Sequence, residues 1–465
     1  MKISLSNIGV FKQAEYELGD LTIICGENNT GKTYATYLLY GFYDFWKNAY
    51  LLKVPENEIS KLMDTGSMKI SLTEYLNHPN EELQKACKNY SRLLPMMLAA
   101  QKRYFINSDF SISMNNQEIV PLETYNAKWR STKGEILQIS KESESDEITV
   151  SLLIETQDID TMSIRNNIIN TISLALKKII YSNTISDIFI ASSERTGAVI
   201  FKNELNLERN IILKEVAGND ELDLAEILQK AYLSSYALPV RRNIDFIRKL
   251  EDYNKEDSVI TKKYPDLLLD FADILGGDYK VGREGLYFLP KSTKSIKLSM
   301  GESSSSVRSL LDIGFYLRHL AEEGDMLMVD EPELNLHPSN QRRLAKLFAR
   351  LVNIGIKVFI TTHSDYIIKE LNTLIMFNSR KNDDSTKKIM HKYKYLESEL
   401  IDPKRIKVYI SERDLVKLEG KTKRTNIPTL VQADIDEFYG IEAKSFDKTI
   451  NEMNEIQERI ILGRE

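Results

Sequence analysis

Residues 3 to 11 alternate, with Ile3, Leu5, Ile8, Val10 and Phe11 apolar, the period of a strand that buries one face. After a turn at Gly19-Asp20 comes LTIIC (21–25), a short uninterrupted apolar run suited to a strand covered on both faces. The polar octet GENNTGKT (26–33) follows, and TYATYLLYGFYDFW then reads as a buried helix. The opening order is therefore strand, strand, glycine loop, helix. Farther on, HPNEELQKACKNYSRLLPMMLAAQKRYF reads as helical, with Pro95 expected to kink or divide it. GEILQISKES and DEITVSLLIET read as a hairpin about an acidic tip, Glu142 to Glu147. TISDIFIASSERTG (184–197) reads as a strand running into a polar loop.

Residues 203–275 are dominated by helical periodicity, and strand content returns at GDYKVGREGLYFLPK. SSSSVRSLLDIGFYLRHLAE (303–322) reads as an amphipathic helix. Strand MLMVD, helix NQRRLAKLFARLVNIG, strand KVFITTHS and helix DYIIKELN then alternate, the mark of a parallel sheet. The tail beyond about residue 380 is polar, with one strand, IKVYIS (406–411), and a terminal helix, SFDKTINEMNEIQERI. No internal repeat is present.

Composition narrows the class. The length of 465 residues suggests two to four domains and is ample for a large core. A net charge of −6 argues against a protein that coats nucleic acid, while leaving room for a local basic groove. LEGKTKR (418–424) is locally basic and reads as a solvated loop. Cys25 and Cys87 have no metal-ligand spacing, so neither a disulfide scaffold nor a zinc site is expected and a cytoplasmic setting is. No apolar run approaches a bilayer's thickness, so no membrane partner is expected, and MKISLSNIGVFKQ lacks the features of a secretion signal.

Three short stretches carry chemistry. Gly26-Glu27-Asn28-Asn29-Thr30-Gly31-Lys32-Thr33 fits G-x-x-x-x-G-K-[ST] without exception, between a buried strand and a helix. Such a loop points successive backbone N–H groups at phosphate oxygens. Lys32 is placed to reach the β and γ phosphates of ATP, and the Thr33 hydroxyl to reach Mg²⁺. In MLMVDEP, Asp330 and Glu331 end a buried strand, where two adjacent carboxylates are costly unless a cation offsets them. Asp330 is the expected Mg²⁺ ligand, which leaves Glu331 to polarise the attacking water. In Thr361-Thr362-His363-Ser364, His363 ends the next strand and is read as contacting the γ phosphate or the water.

Together the three stretches resemble the ABC-type ATPase heads of the SMC, RecF and OLD group. The resemblance is strong over residues 1–50 and 296–375, through G-x-N-N-x-G-K-T, D-E-P-E-x-N-L-H-P and T-T-H-S. DEPELNLHP followed by QRRLAKLFARLVN is especially similar to the stand-alone AAA_15 ATPases of bacterial phage-defence operons. The resemblance implies that Glu331 is the catalytic base, that His363 is the switch residue, and that Glu333 to Pro338 form the loop crossing to a partner subunit. Two features depart from the group. In place of its L-S-G-G-Q/E signature stands Leu298-Ser299-Met300-Gly301-Glu302 followed by four serines. Ser303, Ser304 and Ser305 are read either as nucleotide contacts made in trans or as N-capping residues. No glutamine marks the group's Mg²⁺-sensing position; Ser192 to Gly197 either occupy it, with Arg195 on phosphate or on the opposing subunit, or form a surface turn. A complete nuclease built on Glu412 and Asp434-Ile-Asp436 is not expected, because the spacing is too short for a strand-helix-strand crossover. Pro239 and Pro265 and the lack of heptads argue for a short helical arm where SMC-like proteins insert a coiled coil.

The expected fold is α/β: a P-loop ABC-type ATPase head with a mixed or parallel central sheet, a β-rich sub-lobe and a helical insertion. The expected division is 1–200, an N-terminal ATPase lobe; 201–285, a helical arm or lid; 286–380, a C-terminal ATPase lobe; and 381–465, an extension for docking a partner. The expected function is an ATP- and Mg²⁺-dependent ATPase with slow, regulatory turnover. It would form a head-to-head homodimer, or a higher homo-oligomer, and control a separate effector, a nuclease or toxin encoded nearby, in antiviral defence. The alternative is a RecF-like repair ATPase acting directly on DNA.

Overall fold

The computed structural model describes residues 1–115, 118–131, 134–154, 162–202, 236–282, 285–293, 296–418, 422–442 and 444–462. Much of the expected helical arm, 201–285, and part of the basic segment 418–424 lie outside the described residues. The chain divides into two compact units.

One unit comprises Met1–Ile3, Phe42–Arg92 and Phe110–Asp187. Its sheet has four antiparallel strands in the order Ser67–Ser71, Glu147–Leu152, Gly134–Lys141, Tyr125–Ser131. The hairpin expected about Glu142 to Glu147 is present as two of these strands. Helix Pro79–Ser91 stops before Pro95, which sits in the first turn of a separate short helix, Leu94–Met97, of the other unit, where its missing N–H is tolerated. Within the unit, Phe42, Trp46, Tyr90 and Phe110 form an aromatic cluster, with ring centroids 5.1–6.2 Å apart. Lys177 is buried and donates its ammonium hydrogens to the carbonyls of Trp46, Lys47 and Tyr50, which satisfies the end of helix Lys32–Asn48.

The other unit comprises Ser4–Gly41, Leu93–Asp109 and Ile188–Glu465. Its core is a six-stranded sheet in the order Arg424–Gln432, Ile406–Lys417, Leu21–Gly26, Lys357–Thr362, Met326–Asp330, Ile188–Ala191. Only the Arg424–Gln432 edge strand is antiparallel to its neighbour; the other pairings are parallel. The strands that read as uninterrupted apolar runs are buried along their whole length: Leu21, Ile23 and Ile24 are inaccessible, as are Leu327, Met328 and Val329. Helix Pro338–Asn353 begins with proline at its first position and buries Leu344, Leu347, Phe348 and Leu351. Helix Asp365–Ser379 is capped by the Ser364 hydroxyl, which accepts from the Ile367 N–H.

Four details differ from the sequence reading. The first alternating run is two strands, Lys2–Ile8 and Phe11–Glu17, because Gly9 turns the chain at φ 57°. The helix expected over 303–322 is three consecutive short helical pieces, Ser305–Ser309, Leu311–Phe315 and a π-helical turn Tyr316–Leu320. It is buried nearly all round rather than on one face, through Leu310, Leu311, Asp312, Ile313, Phe315, Tyr316 and Leu317. The polar loop after Ile188–Ala191 includes a helix, Arg195–Ile200, and Arg195 is fully buried, so the surface-turn reading fails. The tail strand runs to Lys417 and lies beside the Leu21–Gly26 strand inside the central sheet. Among the described residues no helix is long and apolar enough to cross a membrane.

Candidate functional site

Parallel strands leave their carboxyl ends on one edge of a sheet, where the following loops make a crevice. Here that edge gathers Gly26, Asp330 and Thr362 from three adjacent strands, with Asp330 in register with Thr361 and Thr362 with Cys25. The result is a cleft of about 970 Å³ lined by Glu27, Asn28, Asn29, Gly31, Lys32, Thr33, Glu331, Glu333 and His363, with Val10 and Tyr34 at its side.

The glycine loop has the curl the motif requires: φ is 133° at Gly26, 62° at Asn29 and 106° at Gly31. Glycine takes the first and third without penalty, and asparagine tolerates the second. A Cβ on Gly26 would lie 2.6 Å from the carbonyl oxygen of Ser411 on the neighbouring strand. The Ser411 hydroxyl also donates to Thr30 O at 2.8 Å, which fastens the loop to a strand residue 381 positions later. Inside the loop, Thr30 Oγ1 donates to Glu27 O at 2.8 Å. The buried Lys32 Nζ donates to Gly26 O at 3.1 Å and Glu27 O at 2.6 Å. Burial pushes the Lys32 ammonium below its ordinary pKa, opposed by the charges of Glu331 and Asp330. Thr33 is exposed on the cleft wall.

Asp330 is 1% exposed. Its Oδ1 accepts from the Thr361 hydroxyl, and its Oδ2 is buried with no hydrogen-bond partner. Burial raises its pKa, against the Thr361 hydrogen bond. Glu331 follows in the left-handed region, at φ 51°. Its N–H donates to Thr361 Oγ1 at 3.1 Å, so one hydroxyl secures both residues. The Glu331 carboxylate lies 3.4 Å from His363 Nε2. That hydrogen bond, ahead of the charges of His363 and Lys32, holds its pKa below the usual carboxylate range. His363 is fixed in turn by Glu333, whose Oε1 accepts the His363 backbone N–H at 2.5 Å. Glu333 Oε2 is a second buried carboxylate oxygen without a partner, and burial raises the Glu333 pKa.

The structure therefore brings Gly26 to Thr33, Asp330, Glu331 and His363 to one cleft edge. It does not bring Ser303, Ser304 or Ser305 to the cleft lining. Ser303 Oγ donates to Ser299 O at 2.7 Å, and Ser304 caps the short helix Ser305–Ser309 through the Val307 N–H. Ser305 Oγ accepts from Arg308 Nη2 at 3.2 Å. Arg195, read as a phosphate or partner contact, instead turns inward onto four backbone carbonyls. Glu333 carries no motif role of its own in the sequence, although its place two residues after Glu331 on a turn carries it back toward the cleft.

The unpaired carboxylate oxygen of Asp330 and the exposed hydroxyl of Thr33 are both hard oxygen donors, whose chemistry suits Mg²⁺ rather than a softer metal. Among the described residues no cluster of three His, Cys, Asp or Glu could hold a metal by itself. Such a cation would take its remaining ligands from phosphate and water, as is usual for nucleotide-bound Mg²⁺.

A sequence profile of the AAA ATPase domain family AAA_15 matches residues 1–368, most of the chain, and the protein belongs to that family. It is thus an ATPase of the AAA_15 type, built on an α/β P-loop fold with a mixed sheet. Among solved structures it is similar to an SMC head bound to the C-winged helix domain of ScpA, at 12% identity and a TM-score of 0.32, covering 92% of this chain and 97% of that one. It is also similar to the SMC head domain from Thermotoga maritima, at 10% identity and a TM-score of 0.29, over 93% and 98% of the two chains. A third is an Smc head with an extended coiled coil, bound to the C-terminal domain of ScpA, from Pyrococcus furiosus, at 11% identity and 0.29, over 98% of each chain. No curated protein matches it.

Proposed function

We propose that the protein binds ATP with Mg²⁺ in the 970 Å³ cleft, hydrolyses it slowly, and uses the cycle to open and close a homodimer that governs a separate effector. The observation that carries the reading is the cleft that sets Glu331 and His363 against Lys32 and Thr33 of the glycine loop, with the buried, unpartnered Asp330 Oδ2 at the strand end just before Glu331. Asp330 and Thr33 are the residues that would hold Mg²⁺. When bound, that ion supplies positive charge to the β and γ phosphate oxygens.

The chain's own groups do the rest. Backbone N–H groups from Glu27 to Thr33 cradle the phosphates, aided by the N-terminus of helix Lys32–Asn48. A γ phosphate competes with the Gly26 and Glu27 carbonyls for the Lys32 ammonium. Glu331, kept ionised by its neighbours, accepts a hydrogen bond from the attacking water and orients it in line. His363 leaves Glu331 for the γ phosphate and so reports whether that group is present. Ser303, Ser304 and Ser305 lie away from this cleft and are assigned to the ATP of a second copy. Dimerisation couples nucleotide state to shape, a two-state switch biased by ligand. The antiviral setting, with a nuclease or toxin as effector, is supported by the resemblance of DEPELNLHP to phage-defence ATPases.

Phosphate release and gel-filtration size, with and without ATP, test the reading. Lys32→Ala should abolish turnover by weakening nucleotide binding, whereas Glu331→Gln should abolish turnover while trapping ATP in a dimer. If both variants turn over ATP like the wild type, the assignment of these residues is wrong. Phage titre in cells carrying this gene with its neighbouring reading frame, wild type against Glu331→Gln, tests the defence role.

A further inference from the structure

Arg195 is among the largest fully buried side chains, and no motif marks it. A guanidinium is taken out of water at high cost unless its fork is fully engaged. Here Nε donates to Ser309 O at 2.7 Å, Nη1 to Ser192 O at 2.8 Å and to Asp330 O at 2.7 Å, and Nη2 to Glu331 O at 2.9 Å. The acceptors are backbone carbonyls, so the fork fixes main chain rather than side chains. Its charge is offset by nearby Asp312, Asp330, Glu333 and Glu331.

Two of those carbonyls flank the residue whose backbone most needs restraint. Glu331 has φ 51°, which a residue with a Cβ adopts at a cost, and the following Pro332 biases it toward extended conformations. The left-handed turn is closed locally by the Leu334 N–H, which donates to Glu331 O at 3.2 Å. It is secured on its N–H side by Thr361 Oγ1 and on its carbonyl side by Arg195 Nη2. That turn is what aims the Glu331 side chain at His363 and the cleft.

We infer that Arg195 is a positioning residue for the ATPase reaction: its guanidinium clamps the Asp330 and Glu331 carbonyls and thereby holds Glu331 in the strained backbone that points its carboxylate at the attacking water. The inference rests on the proposed role of Glu331 for its kinetic consequence, but not for its structural one. Arg195→Lys keeps the buried charge and removes the fork. With the full chain, binding of a fluorescent ATP analogue should stay within about threefold of wild type while phosphate release falls about 100-fold, the scale of a small misplacement of a reacting group. Unchanged turnover, or affinity lost in step with turnover, would overturn it.

A second measurement needs no ATP. Glu331→Gly and Glu331→Ala both delete the carboxylate, so the difference between their melting temperatures reads backbone strain at that position. With Arg195 present, the glycine variant should melt about 2 °C above the alanine variant. In the Arg195→Lys background the turn is free to relax and the difference should vanish. An equal difference in both backgrounds refutes the clamp. If the wild type itself releases no phosphate, the proposed function falls, and the melting comparison alone decides the clamp.

Discussion

Thr361 offers the cleanest perturbation of the cleft, because one hydroxyl performs two tasks. Its oxygen accepts the Glu331 N–H at 3.1 Å and its hydrogen goes to Asp330 Oδ1. Thr361 is inaccessible, and valine has almost its shape, so Thr361→Val removes both bonds with little change in packing. A bond to a charged carboxylate contributes about 1.5–3 kcal/mol, and a stranded backbone donor costs about 1–3 kcal/mol. The N–H is only part-buried, so the lower figure applies to it, and the sum is about 3 kcal/mol. Thr361→Ser keeps the hydroxyl and loses one methyl, about 1 kcal/mol. Calorimetric melting at pH 8 should therefore place Val well below Ser, and Ser slightly below wild type. In the same variants ATP turnover should fall at least about tenfold for Val and stay near wild type for Ser. A Val variant as stable and as active as Ser would refute the claim that this hydroxyl organises the cleft.

Gly26→Ala should damage both the loop and the sheet: φ of 133° is glycine territory and the new Cβ would sit 2.6 Å from Ser411 O. A fall in ATP-analogue affinity with a lowered melting temperature is expected, whereas Gly282→Ala, whose Cβ meets its nearest atom at 3.6 Å, should change neither by much. Asp312 is fully buried with both carboxylate oxygens unpartnered, and burial pushes its pKa up to about 7 despite the Arg195 charge. Its folded-state pKa lies above the unfolded value, so the folded state holds the extra proton and stability falls as pH rises toward 7. The loss is complete above about pH 7 and amounts to roughly 4 kcal/mol. Asp312→Asn should accordingly gain stability on wild type as pH is raised from 5 to 8, read by urea unfolding across that range; parallel pH profiles would contradict this.

The glycine loop, the Asp330-Glu331 strand end and the His363 strand end were legible because each is a local pattern. A spacing of glycines, or four apolar residues before two acids, states its own backbone requirement. The edge on which they meet follows from parallel strand order, so the cleft was foreseeable once the alternation of strands and helices was read. The Glu142 to Glu147 hairpin and the helix break before Pro95 were readable for the same reason.

What only tertiary structure decided has a common cause in long-range contact. IKVYIS carries no sign of its neighbour, yet it pairs with the Leu21–Gly26 strand, because an exposed sheet edge beside the glycine loop buries it. The 303–322 segment looked one-sided, but elements distant in sequence cover its other face and divide it into short turns. Arg195 in a polar hexapeptide read as a surface turn or an outward contact; its burial depends on carbonyls from Ser309, Asp330 and Glu331, more than a hundred residues away. The left-handed turn at Glu331 is set in part the same way, by Thr361 and Arg195 in addition to the local Leu334 N–H. Local periodicity and motif spacing determined which groups this chain brings to the cleft; the partners that hold those groups in place are chosen by packing, which no stretch of sequence records on its own.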